Sequence, residues 1–153
     1  MRKKDKEIRD WSRIEHILQN NKICRLGLCR KGRPYIVPVN YGYKDRTIFI
    51  HTGKIGKKMD IIRENPNVCV EIDQDIEIIR GEVPCKFSTK YDSVIADGRA
   101  EIIEDVVRKQ KALDIIMTQL CGKRRWIYEQ SPLKHVCILK ISLDSVTGRF
   151  SRS

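Results

Sequence analysis

Apolar residues recur at intervals of three and four in DWSRIEHILQNNK, where Trp11, Ile14, Ile17 and Leu18 share one side, so a first amphipathic helix is predicted, closed by the Asn20–Asn21 pair. The period then changes to two. ICRLGLC, YIVPVNYGY and TIFIHT are β-rich runs separated by the short turns RKGRP and KDR, the pattern of an antiparallel meander. KKMDIIRENP, with Met59, Ile61 and Ile62 and a stop at Pro66, predicts a helix of a few turns. NVCVEID alternates again, placing Val68, Val70 and Ile72 on one face. QDIEIIRGEVPCKFSTKY carries no single period and reads as a loop plus part of a strand, before DSVIADGRAEIIED forms a long strand bent at Gly98. In EDVVRKQKALDIIMTQLCG, Val106, Leu113, Ile116, Met117 and Leu120 make a helical stripe that ends at a Gly122 cap. HVCILKISLDSVTGRF supplies the last strand.

About six β segments, three helices and no parallel βαβ unit predict a mainly β fold with flanking helices, an antiparallel barrel with its helices outside. No repeat or flexible linker interrupts it. A chain of 153 residues is expected to bury roughly 70% of its unfolded surface around one core, so residues 1–153 read as one domain.

Composition adds limits. A hydrophobic share of 41% and a charged share of 33% suit a soluble globular chain. No apolar run approaches the ~18 residues of a membrane span, and the basic start MRKKDKEIRDW leads into no apolar signal region, so a cytoplasmic location is expected. The six cysteines are scattered, mostly within apolar runs, and read as buried free thiols; no Cys-x-x-Cys pair or histidine spacing suggests a metal site. The net charge of +11 favours anionic partners without choosing among them.

Two constellations carry candidate chemistry. In IFIHTGKIGKKMDII, a strand passes to a helix through Thr52, Gly53, Lys54, Gly56, Lys57 and Lys58, which together offer amides, a hydroxyl, cations and a helix start, the components of a phosphate site. The Gly-x-x-x-x-Gly-Lys-Ser/Thr pattern is not matched, which argues against nucleotide triphosphate hydrolysis. The same lysines also fit an exposed first helical turn, although cations there oppose the helix dipole. In RPYIVPVNYGY, alternation puts Val37, Val39 and Tyr41 on one face and Ile36, Pro38 and Asn40 on the other. Pro38 removes a ladder donor and marks an edge or a bulge, where backbone groups can meet a flat heterocycle or where a plain barrel strand simply kinks.

The order GRPYIVPVNYGY, TIFIHTGKIGKKMDIIRENPNVCVEID, YDSVIADGRAEIIED resembles the pyridoxamine 5'-phosphate oxidase-like FMN-binding split-barrel superfamily, in its short branch related to nitroimidazole-resistance proteins. The resemblance implies a Greek-key-like split β-barrel and a homodimer with FMN, or FAD, in a cleft between subunits. On that basis Val37, Pro38, Val39, Asn40 and Tyr41 line the isoalloxazine with their backbone. His51 and Thr52 lie beside the ribityl phosphate, and Lys54, Lys57 and Lys58 neutralise it. Ser93 and Ile95 approach the ring system, and Trp126, in CGKRRWIYEQSP, is the aromatic residue brought near the flavin, though it serves equally as an anchor for its loop.

The basic C-terminal pattern of true pyridoxamine phosphate oxidases is missing, so the implied activity is reduction of nitroaromatic, 5-nitroimidazole-like or related small molecules. His51 is the candidate proton donor, with a structural histidine as the alternative. A flavin store or sensor without turnover fits the same residues. A nucleic-acid-binding barrel fits less well: only 7% of the chain is aromatic, and no strand interleaves aromatic with basic residues.

Overall fold

The computed structural model describes residues 4–152. Along the chain lie β1 (Glu7–Ile8), α1 (Trp11–Asn20), β2 (Ile23–Arg30), β3 (Arg33–Asn40), β4 (Gly42–Lys44), β5 (Thr47–Gly53), α2 (Lys57–Glu64), β6 (Asn67–Ile79), β7 (Ser88–Ile103), α3 (Val106–Cys121), α4 (Gln130–His135) and β8 (Val136–Ser151). The strands form one antiparallel sheet ordered β3-β2-β6-β7-β8-β5-β4, with β1 paired to β8. The sheet curls until β3 and β5 touch without pairing, leaving a seam. Among the described residues no helix is long and apolar enough to cross a membrane.

Alternation builds the interior. Leu26, Ile48, Ile50 and Ile72 point inward, and α1 closes one opening with Ile17 and Leu18, all fully buried. A second cluster, Ile103, Ala112, Ile116 and Ile138, lies under α3 with Phe49 packed against it. The predicted α3 stripe is therefore displaced: its buried line is Lys109, Ala112 and Ile116, while Val106 is exposed. Lys109 Nζ donates to the carbonyls of Leu133 and Val136, so a cation occupies a position that hydropathy assigns to the surface.

YIVPVNYGY is two strands, not one. The break falls at Tyr41, whose ring is sealed in the core with its hydroxyl donating to the Leu18 carbonyl at 2.7 Å. Gly42 then passes so close to α3 that a Cβ would lie 2.6 Å from the Ile116 Cα and N atoms. Gln119 fastens the same junction: its Oε1 accepts from Tyr43 N–H at 2.7 Å, and its Nε2 donates to the carbonyls of Leu18 at 3.1 Å and Asn21 at 2.5 Å. These bonds satisfy backbone groups left over at the end of α1.

The segment of mixed period is mostly strand. β6 runs to Ile79 and β7 starts at Ser88, around a 3₁₀ turn at Pro84–Lys86, with a register shift between Gln74 and Glu77. β7 does shift register at Asp97/Gly98, as its sequence suggests. His135 ends α4 instead of opening the last strand. The cysteines are all free, but Cys29, Cys85 and Cys121 are exposed, so only some are core residues.

Candidate functional site

β5 and α2 meet in the lysine turn. Gly56 caps α2 with φ 115°, a conformation that disfavours any side chain, and no side chain accepts from the first helical amides. A Cβ on Gly56 would meet nothing within 4 Å, so this end of the helix opens on free space. The turn is braced from behind. Arg63, in the last turn of α2, donates from Nη2 to the Lys54 carbonyl at 2.6 Å and lies 3.7 Å from Asp60. Buried Cys137 directs its thiol at the Gly53 carbonyl, 3.8 Å away, and burial, with Glu104 adding to it, pushes that thiol up from its ordinary value.

The three lysines differ in their surroundings. Lys54 lies 3.9 Å from Glu104. Lys57 Nζ stands 4.5 Å above the Tyr35 ring centroid, a cation–π contact that ties α2 to β3. Lys58 is half-buried, and desolvation lowers its pKa; no carboxylate lies within 4 Å of it among the described residues. A cation partly stripped of water beside open helix amides is electrostatically unfinished. Thr52 has the inward parity of Ile48 and Ile50, whereas His51 is exposed on the opposite side of β5, the side of Phe49.

β3 ends the sheet order, so one side of its backbone has no partner strand. Tyr35, Val37 and Val39 are half-buried on the inner face; Ile36, Pro38 and Asn40 are exposed on the outer. Tyr41 departs from its expected place on this platform: its side chain belongs to the core, and only its backbone remains near β3. The register aligns Pro38, Arg25, Glu71, Ile95 and Thr147 in one row across the outer face. Ser93 and Ile95 line a depression of about 300 Å³ there with Thr147 and Arg149. Pro38 and Ile95 stand three strands apart, about 14 Å, so one protomer does not bring them against a common ring. Trp126 lies in the loop after α3, half-buried beneath Arg124 at 3.8 Å, with its indole N–H buried and lacking an acceptor.

The fold thus joins the lysine turn, Thr52 and β3 through Tyr35, and leaves Ser93, Ile95 and Trp126 elsewhere on the protomer. Tyr35 was legible in the sequence, since it has the parity of Val37 and Val39. Arg63 and Cys137 gave no signal by residue type, because each acts on a backbone carbonyl, Arg63 back across α2 on Lys54 and Cys137 from β8 on Gly53.

The family model described as pyridoxamine 5'-phosphate oxidase matches residues 10–150. A candidate 5-nitroimidazole antibiotic resistance protein from Bacteroides thetaiotaomicron is 32% identical, with TM-score 0.84, over 94% of this chain and 86% of that one. A FAD and heme binding protein from Mycobacterium smegmatis shares the fold at TM-score 0.86 and 18% identity, over 97% of this chain and 74% of that one. An uncharacterized protein of Rhizobium meliloti is 36% identical over 50 residues, a stretch that spans 33% of this chain and 32% of that protein.

Proposed function

The chain belongs to the pyridoxamine 5'-phosphate oxidase family, and on that premise we propose that it is a flavin-binding oxidoreductase that reduces nitroaromatic or related small molecules. The observation that carries the reading is Lys58, a half-buried cation with no carboxylate within 4 Å among the described residues, beside the start of α2 that no side chain caps. A phosphate dianion supplies what that corner lacks: an acceptor for the helix amides and a counter-charge for Lys58. Lys57 adds a second cation, Lys54 a third, and Thr52 a hydroxyl. Arg63 and Cys137 act as positioning residues, holding the carbonyls of Lys54 and Gly53 so that the turn keeps its shape. FMN is the smallest flavin that meets this requirement.

From that corner the ring of the ligand extends along β3. Along the side of β3 that faces away from β2, the backbone of Val37 to Asn40 offers donors and acceptors to the ring's polar edge and Pro38 withholds one donor, while the Tyr41 N–H is already given to the Lys22 carbonyl at 3.4 Å. When bound, the flavin supplies the electron transfer itself, so the protein's tasks are to orient, shield and protonate. His51, exposed at the end of β5, is the proposed proton donor to the substrate.

A homodimer completes the reading. Pro38 and Asn40 share the outer face with Ser93 and Ile95 but are too far away within one protomer. Exposed Ile36 and Ile95 give that face an apolar component. On this reading two such faces are apposed, and Ser93 and Ile95 of a second copy come within range of the ligand.

The test is the visible spectrum of the purified protein and the mass of the released cofactor, followed by anaerobic reduction and reoxidation with a 5-nitroimidazole. The expected outcome is a yellow protein that is bleached by the added reductant and regains its yellow band as the flavin's electrons pass to the nitro compound. A colourless protein that no flavin reconstitutes would sink the proposal.

A further inference from the structure

We propose that a cleft between α3 and strands β5 and β8, on the His51 side of the sheet, binds a small aromatic carboxylate. The inference rests on the nitroaromatic reading above and names a substrate class for it, rings that carry an anionic group.

Register sets Phe49 beside Lys140 and Lys140 beside Glu101, one row across β5, β8 and β7. Between this row and α3 lies a cavity of about 190 Å³. Its floor is apolar, with Phe49, Ile103 and Ile115. Its rim is cationic: Arg108 and Lys111 stand one helical turn apart on α3, and Lys140 faces them from β8. None of the described residues that line the cleft is acidic. Glu101, at its margin, accepts from Arg108 Nη2 at 2.6 Å and lies 3.7 Å from Lys140. The Arg108 hydrogen bond, with the Lys140 charge behind it, lowers the pKa of that carboxyl. Lys111 has no carboxylate within 4 Å among the described residues.

Three cations around one carboxylate leave an excess of positive charge, and Glu101 shows how a second carboxylate is met there, by a guanidinium with an ammonium beside it. An inorganic anion uses the rim and leaves the apolar floor in water. A ring bearing a carboxylate covers Phe49 and Ile103 while its charge reaches Lys111 and Lys140. The cavity is smaller than the roughly 300–1,000 Å³ of sites for drug-sized ligands, so a single ring is the size it suits. Phe49 and His51 alternate on one face of β5, about 7 Å apart. In register, Ile103, Ile138 and His51 form the next row. A ring anchored at Lys140 and resting on Phe49 therefore turns its far edge toward His51, the proposed proton donor.

Calorimetric titration of the purified protein with 4-nitrobenzoate and 4-nitrobenzamide tests the cleft, because the two share the ring and nitro group and differ in charge. The carboxylate is expected to bind about tenfold more tightly at low salt, with the gap closing as salt rises. Lys111→Gln, at an exposed helical position that glutamine suits, is expected to shrink the gap to about threefold, and Lys111→Gln with Lys140→Gln to remove it. Equal affinities in the wild-type chain, or a gap that neither variant narrows, would overturn the cleft and leave the flavin reading standing. Preference for the carboxylate in a protein that no flavin reconstitutes would uphold the cleft as a binding site and overturn the reductase reading.

Discussion

Replacing Lys57 and Lys58 together with alanine tests the phosphate corner most directly. Lys58 is half-buried, so its bond to a phosphate belongs to the charge-assisted class, each about 1.5–3 kcal/mol. Lys57 is exposed and screened, and its ion pair contributes about 0.5–1 kcal/mol. The sum, about 2–4 kcal/mol, corresponds to a loss of FMN affinity of roughly 30- to 800-fold. Riboflavin has the same ring and ribityl chain but no phosphate, and its affinity should change by less than about threefold. Losing the Lys57–Tyr35 contact alters the empty protein equally for both ligands, so it cancels in the comparison. Fluorescence titration at low and high salt gives the two affinities, with the FMN difference shrinking as salt rises. Equal losses for FMN and riboflavin would show that the turn holds no phosphate.

Three further outcomes follow from the geometry. Burial lowers the Lys58 pKa, so its charge disappears as pH climbs through that lowered value, and FMN affinity should fall in the window below 10.5 while riboflavin affinity stays level; Lys58→Arg should move the fall to higher pH. In the cofactor-free protein the same window runs the other way, with stability rising as pH increases, because the unfolded chain still binds the proton that the folded one has released; a thermal melt series reads this. Gly42→Ala should cost about 1–3 kcal/mol in urea unfolding, since its new methyl meets α3 backbone that has no room to yield. Asp92→Asn should cost about 2–3 kcal/mol, because the buried carboxylate accepts from Arg13 at 2.7 Å and Arg152 at 2.5 Å, and both guanidiniums are partly solvated; a change below about 0.5 kcal/mol would show that solvent already compensates them.

Much of the fold was legible because its periods are clean. Val68, Val70 and Ile72 face inward as alternation requires, and Trp11, Ile14, Ile17 and Leu18 define α1 as their spacing does. Where the sequence misled, a long-range contact overrode local pattern. Tyr41 looks like one more alternating strand residue until α1 and α3 claim it through Leu18 and Gly42. Lys109 looks like surface until α4 presents carbonyls for it to cap. The site divides the same way. The lysine turn is contiguous, so its composition reveals it. Tyr35 shares the parity of Val37 and Val39, but its tie to the turn shows only when α2 folds back onto β3 and sets Lys57 over its ring. Ser93 and Ile95 lie on an outer face about three strands from Pro38, and only the proposed pairing of two copies would bring that face to the turn, which no periodicity within one chain can report.

Gln119 gives the molecule a mechanical division. Through one side chain it joins the last turn of α1, the start of β4 and the body of α3, so none of the three can open without releasing the others. Amide protons in these elements should exchange with solvent at a common rate, as one foldon. The β2–β3 hairpin and α2, joined by the looser Lys57–Tyr35 and Arg30–Glu64 contacts, should exchange sooner. The corner proposed to receive a ligand is then the softer half of the barrel, and occupancy would slow its exchange without altering that of the half pinned by Gln119.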